Sequence, residues 1–290
     1  MQMQGLSGRG TWRSEPYFAA ECLPPPTGGS WSTRDEPGNN ARLLAVMKER
    51  DIKRAFVPHA VFNGRVGMPK GEWVVRHINR KHELLMSPDT EPFEGYEIAK
   101  GDALVCPAGG CMFVVATGEA PGKDLRMIFS HAGRDSLIDR HRILLSGINA
   151  YTEKPIKSTS KRPFEGVLHS IVDTFRGWGI VPQRMEVHGL FSIAPSVFIH
   201  PYNHPTYGEF NRLLLRDLQR PLGGTMAAWE TGTGIAIDQC ALLREQAEEV
   251  GIPHVKCYPY LPVDEEYAHT RHPDLAMRVR RNLVILHRLR

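Results

Sequence analysis

Two side chains in this 290-residue sequence have the types and spacing for covalent chemistry: Cys111 and His131. Nineteen residues separate them, enough for two strands and a short turn. In an antiparallel hairpin the residue that starts one strand faces the residue that ends its partner. The spacing therefore predicts Cys111 opposite His131. A thiol beside an imidazole is the minimal nucleophile pair: the imidazole takes the proton and the thiolate attacks a carbonyl. Ala108, Gly109 and Gly110 are small enough to let a substrate approach the backbone, where N–H groups could meet a developing oxyanion. The same thiolate and imidazole suit Zn²⁺, and one more histidine with an open position would make a catalytic metal site. A cysteine starting an apolar strand can also be no more than a small buried residue.

The elements that must position this pair are legible around it. Residues 102–106 read as a strand, Pro107-Ala-Gly-Gly110 as a tight turn, and 112–117 as an apolar, β-branched strand. A polar turn at 118–124 leads to a return strand at 125–130, then to a helix at about 136–145. Further helices are expected at 39–50, 164–178, 209–219 and 238–250, the last closed by Gly251 with Pro253 beyond. Strands are expected at 54–58, 73–78, 83–86, 185–193, 197–199, 254–258 and 282–287, with an Asn63-Gly64 turn and a surface loop over 87–97. The pattern implies an α+β fold with a mixed or antiparallel central sheet flanked by helices. Residues 1–35, rich in Gly, Pro, Ser and Arg, read as a loop-rich lead-in to a single domain over 36–290.

Composition narrows the function classes. Hydrophobic residues make up 41% and charged residues 23%, an ordinary globular balance that excludes a mostly disordered chain. The net charge of +4 is too small for a dedicated nucleic-acid binder, so no nucleic-acid partner is expected. No apolar run approaches the ~18 residues that span a bilayer, and the first residues lack a secretory apolar region. A cytoplasmic protein with no membrane partner is the expectation. Five widely spaced cysteines make no disulfide framework. His188, His200 and His204 form a second histidine group. His200-Pro-Tyr-Asn-His204 is a loop by composition, and His200 is a candidate substrate contact. Arg134, at an expected helix start, is a candidate contact for a phosphate or nucleotide. Gly232-Thr-Gly234 is too short for a dinucleotide fingerprint. The basic residues at 154–162 read as a surface connection.

The stretch GDALVCPAGGCMFVVATGEAPGKDLRMIFSHAG resembles the core of the laccase-domain family. That family is also called multicopper polyphenol oxidase-like and includes peptidoglycan editing factors and purine nucleoside phosphorylases. Its members carry a D-A-L-V strand, a turn and strand holding T-A-D-C, and a hairpin leading to H-A-G-W-R-G. Asp102-Ala-Leu-Val105 matches the first element, Cys111 falls on the family's cysteine, and His131-Ala-Gly133 opens the last motif. Glu36-Pro-Gly-Asn-Asn40, Phe56-Val-Pro-His59, Asn63-Gly-Arg-Val66 and Ser192-Ile-Ala-Pro195 also resemble family segments. The C-terminal order agrees: helix, G-I-P strand, Cys257, an Arg/His-rich loop, and Arg278–Leu286. The resemblance spans about residues 36–290. It implies a zinc site of His59, Cys111 and His131, with His77 in WVVRHINR a rival for the first ligand. Ala108-Gly-Gly110 replaces T-A-D, and Arg134-Asp-Ser136 replaces W-R-G. A Gly followed by a strand cysteine, with a histidine on the hairpin partner, also resembles the Cys–His glutamine deamidases of the cytotoxic necrotizing factor type, a group related in fold.

Three functional expectations follow. The first is a zinc-dependent enzyme acting on a nucleoside or nucleotide-linked substrate by phosphorolysis, hydrolysis or deamination, with Gly110, Arg134 and His200 as substrate contacts. The second is a metal-free hydrolase or deamidase, with Cys111 as nucleophile and His131 as base, acting on a small amide or a protein glutamine. The third is a non-catalytic member that uses the cleft for binding.

Overall fold

The computed structural model describes residues 11–14, 17–33, 37–58, 66–67, 74–86, 95–122, 124–137, 166–205, 208, 211–212, 227–261, 267, 269 and 274–289. Two large mixed sheets carry the fold. The first has seven strands: β1 (Thr11–Ser14), β2 (Phe18–Leu23), β3 (Arg54–Val57), β5 (Val74–Asn79), β6 (His82–Met86), β8 (Ala103–Ala108) and β16 (Asn282–Arg288). Their spatial order is β1-β2-β16-β8-β3-β6-β5. The second has six: β4 (Val66–Gly67), β7 (Gly95–Glu97), β9 (Met112–Glu119), β10 (Leu125–Ala132), β11 (Met185–Leu190) and β15 (His254–Cys257), in the order β15-β11-β9-β10-β7-β4. A third, small sheet orders β12 (Ile199–Pro201), β14 (Gly234–Ile237) and β13 (Ala228–Glu230). The α+β expectation holds, with two main sheets in place of one central sheet.

The sheets join face to face through one core. Phe18, Ala20 and Cys22 of β2 and Leu104 and Cys106 of β8 cluster with Phe113, Val115 and Phe129 of the second sheet. The rings of Phe18 and Phe129 meet edge-on at 6.2 Å. Side chains alternate across a strand, so the opposite face of the first sheet shows Ala55, Val57, Ala103, Val105, Leu283 and Ile285. Leu43, Val46 and Met47 of α1 (Pro37–Glu49) cover it. Arg50, just beyond α1, clips Glu21 of β2 at 2.5 Å. Behind the second sheet lie α3 (Val167–Gly177) and α4 (Gln239–Val250). Phe175 of α3 fills the space beside Gly118, and Leu243 of α4 fills that beside Gly189. With both faces covered, β9 is buried from Met112 to Gly118, which is why it reads as a continuous apolar run rather than an alternating one.

Two short helices, α2 (Arg134–Leu137) and α5 (Leu275–Arg278), complete the described elements. The stretch expected to be a lead-in holds β1 and β2, and β2 pairs with β16 from Phe18 to Leu23. Gly95–Glu97, expected in a loop, pairs with β10 as β7. Pro107 and Ala108 belong to β8 rather than to the following turn, and β9 continues through Gly118. The helix expected at 209–219 and the Asn63-Gly64 turn lie mostly or wholly outside the described residues.

Candidate functional site

The turn between β8 and β9 and the end of β10 come together at one end of the two central strands of the second sheet. Gly110 enters β9 at φ +94°, a conformation that favours glycine. A Cβ there would lie 3.0 Å from His269 Cβ and 3.3 Å from the Ile193 side chain, so the turn is also closely packed. The β9–β10 register pairs Phe113 with His131 and Met112 with Ala132. One further step sets Cys111 across from Gly133, so the two chemical residues are not directly opposed as the spacing predicted. The strand continues to Glu119 before turning, which moves the pairing by two residues.

Gly133 brings the pair together nonetheless. The point where its Cβ would stand is 3.3 Å from Cys111 Sγ, 2.9 Å from His131 Cε1 and 3.4 Å from His131 Nε2. Thiol and imidazole thus converge on space that a side chain at residue 133 would fill. The His131 ring is 3% exposed and meets Phe113 edge-on at 5.4 Å, which fixes its plane. Cys111 is half-buried and carries a free thiol. The arrangement offers a shielded proton acceptor and a reachable sulfur, either a nucleophile with its base or two donors for one soft cation.

Several residues that sequence reasoning did not assign complete the surroundings. His269 and Ile193 pack on Gly110, and the Arg281 guanidinium lies 3.5 Å from the Cβ position of Gly109. Arg281 Nη1 donates to the Arg280 carbonyl at 2.7 Å, which anchors it beside the turn. Gln239 Nε2, at the start of α4, reaches the Ala132 carbonyl between His131 and Gly133 at 3.4 Å. The Arg/His-rich C-terminal loop hinted at His269, and the resemblance matches the Arg278-Val-Arg-Arg281 run to an Arg-containing loop near the family's active site.

The other expected site residues are placed as follows. His59 lies outside the described residues. His77 stands exposed on β5, at the edge of the first sheet, 3.5 Å from Glu83. His200 is buried in β12 of the small sheet, its ring edge-on to Phe198 at 4.6 Å. Arg134 is the first residue of α2. His188 is buried on β11, where Nδ1 meets the Tyr258 hydroxyl at 3.1 Å and the ring meets Phe18. Among the described residues no group of three or more His, Cys, Asp or Glu is arranged to hold a metal. Of the three ligands that the resemblance implies, the structure brings Cys111 and His131 together.

A cleft of about 650 Å³ opens at the opposite ends of β8 and β10, lined by Arg54, Phe56, Glu97, Asp102, Arg126 and Arg288 among others. Two of its carboxylates are already paired, Asp102 with Arg54 at 2.6 Å and Glu97 with Arg126 at 2.6 Å. Leu125 and His131 lie six positions apart on β10, which is roughly 20 Å of strand, so this cleft and the Cys111 site are distinct.

This architecture is the laccase-like domain fold of the YlmD and YfiH structures. YlmD from Geobacillus stearothermophilus superposes with a TM-score of 0.64 at 16% identity, covering 99% of each chain. YfiH from Bacillus licheniformis gives 0.59 at 12% identity, covering 98% of each. The Neisseria meningitidis protein NMB0706, of family DUF152, gives 0.58 at 11% identity, covering 96% of this chain and 97% of its own. At such identities the likeness is one of fold. No family model and no curated protein matches the sequence.

Proposed function

We propose that the chain is an enzyme of the laccase-domain type whose reaction centre is the Cys111–His131 pair. Its substrate is a nucleoside or nucleotide-linked molecule, cleaved or deaminated by phosphorolysis, hydrolysis or deamination. The observation that carries this reading is the convergence of Cys111 Sγ and His131 Nε2 over Gly133. A thiolate and an imidazole are a fitting donor set for Zn²⁺, and His59 would be the third ligand. A zinc ion there would supply Lewis acidity to the bound substrate. The chain's own residues do the rest. The backbone of the Gly109–Gly110 turn would face the substrate, and Arg281 and Arg134 would offer charge to a phosphate. The buried His131 ring is held in one orientation by Phe113. His200 would contribute from the small sheet.

A second reading rests on the half-exposed thiol backed by a buried imidazole. In a metal-free amidohydrolase His131 takes the Cys111 proton and the thiolate attacks the amide carbon. Ammonia leaves with that proton, and water then releases the acyl group from sulfur. The substrate would be a small amide or a protein glutamine, as in the fold-related deamidases. Both readings suit a cytoplasmic setting, where thiols stay reduced. No helix among the described residues is long and apolar enough to cross a membrane.

Elemental mass spectrometry of the purified wild type and Cys111→Ala decides between them. About one zinc per chain, lost in the variant, supports the metal reading. No metal, with Cys111 alkylated by iodoacetamide well below the ordinary thiol pH range, supports the amidohydrolase. A Cys111 that neither binds metal nor alkylates defeats both and leaves a binding protein.

A further inference from the structure

A second pair of thiols lies behind the Cys111 turn. Cys240 is the second residue of α4, and Cys257 is the last residue of β15. Cys257 Sγ donates to the Cys240 carbonyl oxygen at 3.6 Å, which sets the two thiols side by side. Cys240 Sγ is 3.3 Å from Ser192 Oγ, a pair in which either atom can donate. Asp238 caps the helix start by accepting from the Cys240 and Ala241 amides at 2.9 and 3.0 Å. The Cys111 reading makes no use of these two thiols.

From this juxtaposition we propose that Cys240 and Cys257 are an oxidisable dithiol, a site for small hydroperoxides that closes to a disulfide. The Cys240 thiolate attacks the terminal peroxide oxygen. The O–O bond breaks, Cys240 becomes a sulfenic acid, and the departing oxygen leaves as water or an alcohol. Cys257 sulfur then attacks the Cys240 sulfur; the S–S bond forms, and the sulfenic hydroxyl leaves as water with the Cys257 proton. Two electrons pass from the two sulfurs to the peroxide.

The environments divide the roles. The hydrogen bond from Cys257 holds the Cys240 thiol below the ordinary cysteine range, and the Ser192 hydroxyl adds to this against the cost of burial. A position in the first turn of a helix favours a thiolate in the same sense, and the capping carboxylate of Asp238 opposes it. Cys257 is pushed up by its bond to Cys240 and by burial, so it waits as the resolving thiol. Cys22, as buried as Cys240, is pushed up by desolvation and by the neighbouring Glu21 charge. The dithiol is tied to the other site on two sides. Gln239, next to Cys240, bonds the Ala132 carbonyl, and Ile193, next to Ser192, packs on Gly110.

The test treats the full-length Cys111→Ser protein with a slight excess of hydrogen peroxide, then alkylates and maps the peptides by mass. Two of its four remaining thiols should be lost, with a peptide pair joined through Cys240 and Cys257 and restored by dithiothreitol. In Cys257→Ser, dimedone should trap a sulfenic acid at Cys240. Recovery of Cys240 and Cys257 both alkylated, a bond from Cys240 to any other cysteine, or Cys240 driven to sulfinic acid beside a free Cys257 would overturn the proposal. The same map on the untouched wild type gives the answer without a variant, because Cys111 is carried on a separate peptide.

Discussion

Gly133→Ala isolates the role of a single absent side chain. Gly133 is not among the residues with positive φ, so alanine is allowed by the backbone. Restricting the unfolded chain would by itself stabilise the protein by about 0.4–1 kcal/mol. The contacts oppose this. The new methyl would lie 2.9 Å from His131 Cε1 and 3.3 Å from Cys111 Sγ, inside normal carbon contact distance. His131 has little room to retreat, being buried with its ring against Phe113. Overpacking of this kind costs about 1–3 kcal/mol, so the net effect is destabilising. For a chain of this size a net cost of about 1–2 kcal/mol lowers the thermal midpoint by about 2–4 °C. Because the methyl stands between sulfur and imidazole, the site suffers more than the fold. The alkylation rate of Cys111, or its zinc content, should fall about tenfold, a barrier change of roughly 1.4 kcal/mol. Calorimetry and timed iodoacetamide labelling check the two effects. A Gly133→Ala protein with unchanged midpoint and unchanged Cys111 reactivity would refute the claim that Gly133 makes the pair possible.

Three further outcomes are expected. Gly110→Ala forces a side chain to φ +94° against His269 and should cost about 1–3 kcal/mol, read as a lower urea midpoint. Asp238→Ala removes the cap of α4 and the acceptor of the Tyr260 hydroxyl, costing about 1–2 kcal/mol in the same assay. Burial holds His188 down at about 4, partly offset by nearby Glu186, so the folded chain keeps it neutral where the unfolded chain takes a proton. Its stabilising contribution is therefore full above about pH 6.5 and fades as pH falls towards 4, by roughly 3 kcal/mol over that window. Urea midpoints at pH 7 and pH 4.5 should converge less for the wild type than for His188→Gln; equal slopes would show that His188 is not the group responsible.

The strands around the site were the easiest part of the fold to read. The run from Met112 to Thr117 is apolar and β-branched because both faces of β9 are covered, and that pattern survives without knowledge of what covers it. The end of α4 was equally local, closed by Gly251 at φ +80°, while Asp238, expected as its first residue, is its cap. What escaped depends on distant partners. β2, Phe18–Leu23, contains two alanines, a glutamate and a cysteine, weak strand formers that are held extended by pairing with β16. The offset between Cys111 and His131 followed from where β9 ends, a boundary set by Phe175 and Ile180 packing on Gly118 rather than by the polar turn. His269 reaches Gly110 across more than 150 residues of sequence, and no local pattern announces such a contact.

The position of β16 shapes how the molecule can be assembled. It lies between β2 and β8, so without it the first sheet falls into two unconnected pieces. Leu283 pairs with Leu23, a separation of 260 residues. On a ribosome, β2 must therefore wait while some 260 further residues are made before it meets β16. Such sequence-distant closure slows folding, because the entropy of a very long loop is lost before any pairing is gained. During that interval β2 and β8 present open edges, which are templates for pairing with other chains. Arrest of synthesis shortly before Asn282 would thus leave a product with two exposed strand edges, and β16 acts as the step that commits the first sheet to its native form.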